Sequence, residues 1–243
     1  EYFNFITHTI EEIFNNNSEV PPEYLAGNRE IKNTCYIVVT SCRGLCGGFN
    51  NNIIKEAEKD FHEDWEKPVI VAIGTKGKEY FEKRGYEIYK EYLAPPEDIS
   101  FLETREISKP IIDMYDRGEI DEIVLIYTGF KNSIEQEVKN VILLPFDIQP
   151  DPDILIHDQE VEYEPSVEEV FNYLVPKYVE MMIYAAVVES ATCEHAARRL
   201  AMENATDNAS DMLGSLSQYY NRARQAEITD EIIEIVAGAE AQK

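Results

Sequence analysis

The 243-residue chain carries 47 acidic against 22 basic side chains, for a formal net charge of −25 and a pI near 4.4. Such an excess of negative charge excludes a sequence-independent nucleic-acid binder, and it suits either high solubility or one half of a complex whose other half is basic. With 44% hydrophobic residues a true core is within reach, which excludes global disorder, and the length suits one domain plus an extension.

The chain opens at Glu1 inside a pattern with helical spacing (Tyr2, Phe3, Phe5, Ile6, Ile10, Ile13, Phe14), so a helix joined in mid-run is expected, with an N-terminal piece upstream. A Pro/Asn-rich turn follows from Asn15 to Pro22. Cys35 to Thr40 is a short β-branched strand, ended by Arg43-Gly44-Leu45-Cys46-Gly47-Gly48, and a helix is expected from Asn50 to Glu63. Val69 to Ile73 reads as a second strand closed by Gly74, with a helix to Arg84 and a stop at Gly85.

Glu87 to Leu93 is a weaker strand, and Ile99 to Arg117 has helical spacing. Glu122 to Tyr127 is the third strong strand, and Val138 to Phe146 a fourth that can pair antiparallel with it. Apolar strands alternating with helices predict a Rossmann-like α/β fold: a mainly parallel sheet with helices on both faces. No internal repeat is visible. An acidic, proline-punctuated stretch, Pro145 to Pro165, leads into the last third of the chain.

From Ser166 to about Glu240 the sequence reads as one helix, begun by a capping pattern at Ser166 and Glu169, with Pro176 early enough to bend it without ending it. About seventy helical residues span roughly 110 Å, whereas the preceding domain would have a radius of gyration of about 15 Å. Such a helix must protrude, fold back, or enter something else. The domain boundaries read from the sequence are 1–22 for the opening helix and turn, 23–165 for the Rossmann-like domain, and 166–243 for the helix.

Chemistry-bearing residues are sparse. Four cysteines, Cys35 on a strand and Cys193 in a helix among them, suggest a reducing compartment and no disulfide framework. Cys42 and Cys46 lack a second close pair and His8, His62, His157 and His195 are scattered, so no metal site is expected. No apolar run approaches the length of a membrane span, and no targeting peptide is recognisable.

A glycine-rich turn between strand and helix is where a Rossmann domain grips a nucleotide, but Gly44, Gly47 and Gly48 do not make G-x-G-x-x-G or a P-loop. The simpler reading is a tight turn needing positive φ and close packing. No nucleophile, base or carboxylate pair stands out, so no catalytic residue and no cofactor are assigned.

The long helix changes character along its length. It is apolar on nearly every side up to about Val188, as expected where it packs on the domain. Beyond Ala191 a narrow seam of small residues (Ala197, Ala201, Ala205, Ala209) continues through Met212, Leu216, Tyr219, Ala223 and Ala226, suited to a closely approaching second helix. On pattern alone, a homodimeric coiled coil and a Rossmann-type nucleotide-binding enzyme with a coiled-coil dimerisation tail are both open.

The stretch Glu189-Ser-Ala-Thr-Cys-Glu-His-Ala-Ala-Arg-Arg-Leu-Ala-Met202 closely resembles the terminal-helix signature of the gamma subunit of F-type ATP synthases. So do Ala205 to Ala209, Tyr220 to Gln225 and Ile228 to Ala239, while Ser41 to Asn50 matches the family's R-G-L-C-G-G-x-N hallmark. The resemblance runs through essentially the whole chain. It implies a central-stalk rotor that does no bond chemistry itself. Its shaft, an antiparallel coiled coil of N- and C-terminal helices, turns inside the ring of alpha and beta subunits, driven by a proton- or sodium-translocating c-ring.

By position the resemblance places Arg224, Gln225, Thr229 and Glu234 against the beta subunits and Arg198 in the region that couples rotation to catalysis. It places Tyr163, Glu164 and Pro165 near the foot that meets the membrane ring. An epsilon-type subunit is implied on the Rossmann-like domain, and the cytoplasmic face of a bacterial plasma membrane, or its organellar equivalent, as the location. The family's basic N-terminal shaft helix is not present before Glu1, and Arg198-Arg199 stands where arginine-methionine is more usual. The cysteine-bearing insertion of chloroplast relatives is not seen, so thiol control is not expected.

Overall fold

The computed structural model describes residues 6, 9, 10, 13, 14, 21–28, 30–61, 68–132, 135–147, 163, 164 and 166–241. By its contacts the chain divides into two units, Glu1–Arg198 and Arg199–Lys243.

In the first unit, β1 (Thr34–Val39), β2 (Val69–Ile73), β3 (Ile88–Tyr92), β4 (Glu122–Phe130) and β5 (Gln136–Leu144) form one sheet in the order β3-β2-β1-β4-β5. The first four strands run parallel, and β5 pairs antiparallel with β4. Strands buried on both faces need apolar residues at every position, which is why β1 and β2 read as continuous runs without alternation. Ile37 and Val39 of β1 enter one core, and Tyr36 and Val38 enter the other.

Helices α1 (Phe49–Asp60) and α2 (Thr75–Lys83) cover the Tyr36 face, with Phe49, Ile53, Ala57 and Phe81 buried there. Helix α3 (Phe101–Asp116) and the first part of α4 (Val167–Glu240) cover the Ile37 face. The mainly parallel sheet flanked on both faces therefore matches the sequence expectation. Several boundaries differ, and α1 ends at Asp60 where Glu63 was expected. β4 continues through Thr128 and Gly129 to Phe130, and β5 starts and ends two residues earlier than expected, because their antiparallel pairing continues to Phe130 opposite Gln136.

Local chemistry sets the helix ends. At α3, Glu103 N donates to Ser100 Oγ (3.3 Å) while Ser100 N donates to Glu103 Oε2 (2.7 Å), a reciprocal capping box. At α4, Glu169 N donates to Ser166 Oγ (3.2 Å), so Ser166 caps the long helix as its sequence suggests. Pro176 lies within α4 without interrupting it.

The inner face of α4 is a ladder at four-residue steps: Phe171, Val175, Val179, Ile183 and Val187, all fully buried together with Ile6, Ile10 and Ile13. Each such side chain contributes about 2 kcal/mol on burial. Phe171 also stands edge-on to Phe14 and Tyr24, and Tyr24 stacks on Tyr115. One buried carboxylate, Glu180, accepts from Lys177 (2.8 Å) and faces Arg105 of α3 (3.6 Å).

In the second unit, α4 is exposed at every residue from Met202 to Ala241. Met212 is 65% exposed and Ile235 71%. Thr206, Ser210 and Thr229 return their hydroxyls to the carbonyls four residues back.

Gly74 links β2 to α2 at a φ of 93°, and a Cβ there would overlap the Thr40 carbonyl. Gly74→Ala is expected to destabilise the chain by about 2 kcal/mol or more. Gly214→Ala, on the exposed helix with open space around it, should stabilise by up to about 1 kcal/mol. Urea unfolding of the two variants measures both.

Candidate functional site

The glycine-rich turn after β1 is held by side chains. Ser41 N donates to Asn50 Oδ1 (2.9 Å), Asn50 Nδ2 donates to Ser41 Oγ (2.7 Å) and to Cys46 Sγ (3.2 Å), and Ser41 Oγ donates to Arg43 O (2.6 Å). Among its glycines only Gly47 has positive φ (59°); Gly48 sits at −83° as the residue before α1, and Gly44 has open space around it. The second left-handed residue is Leu45 (φ 64°), a conformation that costs a branched side chain roughly 1–2 kcal/mol. Its side chain is 76% exposed at the tip of the turn.

The turn faces α4. Arg198 donates from Nε to Gly44 O (3.4 Å) and from Nη2 to Arg43 O (3.3 Å) and to Glu194 Oε1 (2.6 Å). Carbonyl oxygens aimed at a guanidinium are the opposite of the backbone amides that cradle a phosphate.

The carboxyl end of β4 and the amino end of β5, joined as a hairpin, meet the same helix. Phe130 N donates to Glu189 Oε1 (2.8 Å), Thr128 N to Ser190 Oγ (3.4 Å) and Gln136 Nε2 to Cys193 O (2.9 Å). Lys139 Nζ reaches Glu189 Oε1 at 3.4 Å. In a doubly wound sheet ligands bind beyond the carboxyl ends of the strands where the strand order reverses, here between β1 and β4. Residues 189–198 of α4 occupy that crevice.

Of the other reactive groups, His8, His62 and His157 lie outside the described residues. His195 is exposed, 3.8 Å from Glu97. Burial pushes the Cys35 thiol up to about 12 and, with the Glu189 carboxylate as a lesser cause, the Cys193 thiol up to about 11. Cys42 is only partly buried, its Sγ 3.4 Å from Leu93 O. Among the described residues no group of three His, Cys, Asp or Glu could hold a metal ion, and no helix is long and apolar enough to cross a membrane.

The other residues singled out by sequence lie elsewhere. Arg224, Gln225, Thr229 and Glu234 are exposed in the second unit; the side chains of Arg224, Gln225 and Glu234 make no hydrogen bond or ion pair with any described residue, and Thr229 Oγ1 donates to Gln225 O (2.7 Å). Tyr163 packs half-buried against the core and Glu164 is exposed, while Pro165 lies outside the described residues. Sequence reasoning missed Gln136, Lys139, Glu189 and Glu194. The one available signal was Gly129: an isolated glycine inside a strand marks a close approach, and here the Lys139 side chain crosses it.

A family model described as ATP synthase matches residues 1–242. The ATP synthase gamma chain of Alkaliphilus metalliredigens is 44% identical over 246 residues, covering 100% of this chain and 84% of that one. That of Pelotomaculum thermopropionicum is 43% identical over 213 residues, covering 88% and 75%.

Two solved structures share the fold. The central stalk and c-ring of Tetrahymena thermophila mitochondrial ATP synthase gives a TM-score of 0.64 at 24% identity, covering 82% of this chain and 86% of that one. A Euglena gracilis mitochondrial ATP synthase chain, from an OSCP/F1/c-ring structure in rotational state 3, gives 0.66 at 17%, covering 99% and 90%. The chain belongs to the ATP synthase gamma-chain family, as a non-catalytic subunit.

A buried thiol with its ionisation pushed up to about 12 presents roughly a thousandfold less thiolate at mild alkaline pH than an ordinary one. Alkylation of the folded chain near pH 8, followed by mass spectrometry, should modify Cys42 first and leave Cys35 and Cys193 protected until unfolding.

Proposed function

We propose that the chain is the central-stalk rotor of an F-type ATP synthase, passing torque between an ion-driven membrane ring and a catalytic hexamer during ATP synthesis or hydrolysis. The observation that carries this reading is the 74-residue helix α4, seated on the sheet domain as far as Arg198 and exposed from Met202 onward. The 44% identity to a gamma chain over the full length of this one supports it. Its partners are then the alpha and beta subunits, an epsilon-type subunit and the c-ring.

The working parts divide as 1–22, the end of the N-terminal helix and its turn; 23–165, the Rossmann-like foot; and 166–243, the shaft. The exposed apolar seam through Met212, Leu216 and Tyr219 is the surface on which a second shaft helix packs. Arg224, Gln225, Thr229 and Glu234 contact the beta subunits, Arg198 couples rotation to catalysis, and Tyr163, Glu164 and Pro165 lie near the membrane ring. The association with the membrane is peripheral, on the cytoplasmic face in a bacterium. A rotor must exchange partners as it turns, which suits charged hydrogen bonds made at one angle and remade at the next.

Arg224→Ala combined with Gln225→Ala, in an assembled complex carrying an intact N-terminal shaft helix, should slow or uncouple ATP-driven rotation. Because both side chains are exposed, the thermal unfolding of the chain should be unchanged. Rotation at the unmodified rate would remove these residues from the contact.

A further inference from the structure

Torque between a domain and a helix acts about the helix axis. The hydrophobic effect itself is non-directional and supplies adhesion. Hydrogen bonds hold an angle. Between Phe171 and Val187 α4 meets the sheet mainly through apolar side chains. Over residues 189–198 the contacts change character.

Six groups of the sheet domain converge on this short segment. From β4 come the amides of Thr128 and Phe130; from β5 the side chains of Gln136 and Lys139; from the glycine turn the carbonyls of Arg43 and Gly44. Successive helical residues are about 100° apart, so with Glu189 at zero, Cys193 lies near 40°, Ser190 near 100° and Arg198 near 180°. The hairpin therefore meets the helix over an arc of about 100° and the turn meets it beyond the end of that arc, so together they hold about half of its circumference. Twisting either way strains some of these contacts.

Details of the grip are costly and specific. Lys139 reaches Glu189 by crossing Gly129, where a Cβ would require the tip of its side chain to shift, and it passes over the Tyr127 ring at 5.5 Å. Glu194 is 4% exposed, and its Oε2 has no hydrogen-bond partner among the described residues while Oε1 holds Arg198. A buried carboxylate kept half-satisfied is a stability cost that apolar packing would avoid.

We propose that this polar collar around residues 189–198 is the torque-bearing joint of the rotor, fixing the rotational angle of α4 on the sheet. Gln136, Lys139, Glu189 and Glu194 are positioning residues within it. The inference rests on the rotor reading above and adds where the load crosses from helix to domain.

The test uses membrane vesicles bearing the whole complex with the full-length rotor, and reads ATP hydrolysis and ATP-driven ion pumping against a gradient on the same sample. Gln136→Leu with Lys139→Met removes the hairpin's side-chain grip. Hydrolysis should stay near the unmodified rate while ions pumped per ATP fall clearly below the unmodified ratio. Lys139→Arg, which keeps a cation within reach of Glu189, should retain the unmodified ratio. Val187→Ala, which removes apolar packing below the collar, should lower thermal stability and leave the ratio intact. If the double variant does not assemble, Gln136→Leu and Lys139→Met are made singly, and their ratios decide in the same way. An assembled double variant, or both single variants, pumping with the unmodified ratio overturns the joint. An unmodified complex that hydrolyses ATP and pumps nothing overturns the rotor reading itself, and the joint with it.

Discussion

The structure depends on how α4 crosses the sheet. Its first part lies on one face, where Phe171, Val175, Val179, Ile183 and Val187 share a core with β1 and β4. It then passes over the carboxyl edge, and Cys193 belongs to the core of the opposite face, with Ala197 packed against it. One element thus seals both cores and closes the crevice that an α/β sheet ordinarily leaves for a ligand. At that edge the glycine turn presents the carbonyls of Arg43 and Gly44 to Arg198, where a phosphate-binding turn would present amides.

The electrostatics follow from the same arrangement. A chain with a net charge of −25 would be expected to hold its carboxylates at the surface, and most are there. The buried ones near α4 are paired with cations: Glu180 with Lys177 and Arg105, and Glu194 with Arg198. Both sit where the helix meets the domain, so direction and angle are set there while apolar burial supplies the adhesion. Past Arg198 the helix spends its apolar residues on an exposed seam, which has value only against a partner.

Much of the fold was legible in the sequence because its signals are local. The β-branched runs of β1 and β2 announce strands buried on both faces, Ser166 and Glu169 announce the start of α4, and the break from large apolar residues to alanines near Ala191 announces a change of environment. The collar was not legible, since its partners lie far apart: Gln136 and Cys193 are separated by 57 positions, Arg43 and Arg198 by 155. Only the closing of the sheet brings them together. Leu45 was missed for another reason. Glycines nearby drew the expectation of positive φ, yet the side-chain bonds of Ser41 and Asn50 fix the turn so that a leucine adopts it.

The central claim is the proposed rotor role, in which the sheet domain turns together with the segment of α4 seated on it. It is tested most directly by following two dyes in a single assembled complex during ATP hydrolysis, one on exposed Lys90 of the sheet domain and one on exposed Thr192 of α4. Polarised single-molecule fluorescence reads both angles. The account predicts unidirectional steps of equal size and timing at the two positions, with no lag under load. A helix dye that steps while the sheet dye stays still, or falls progressively behind, would contradict it.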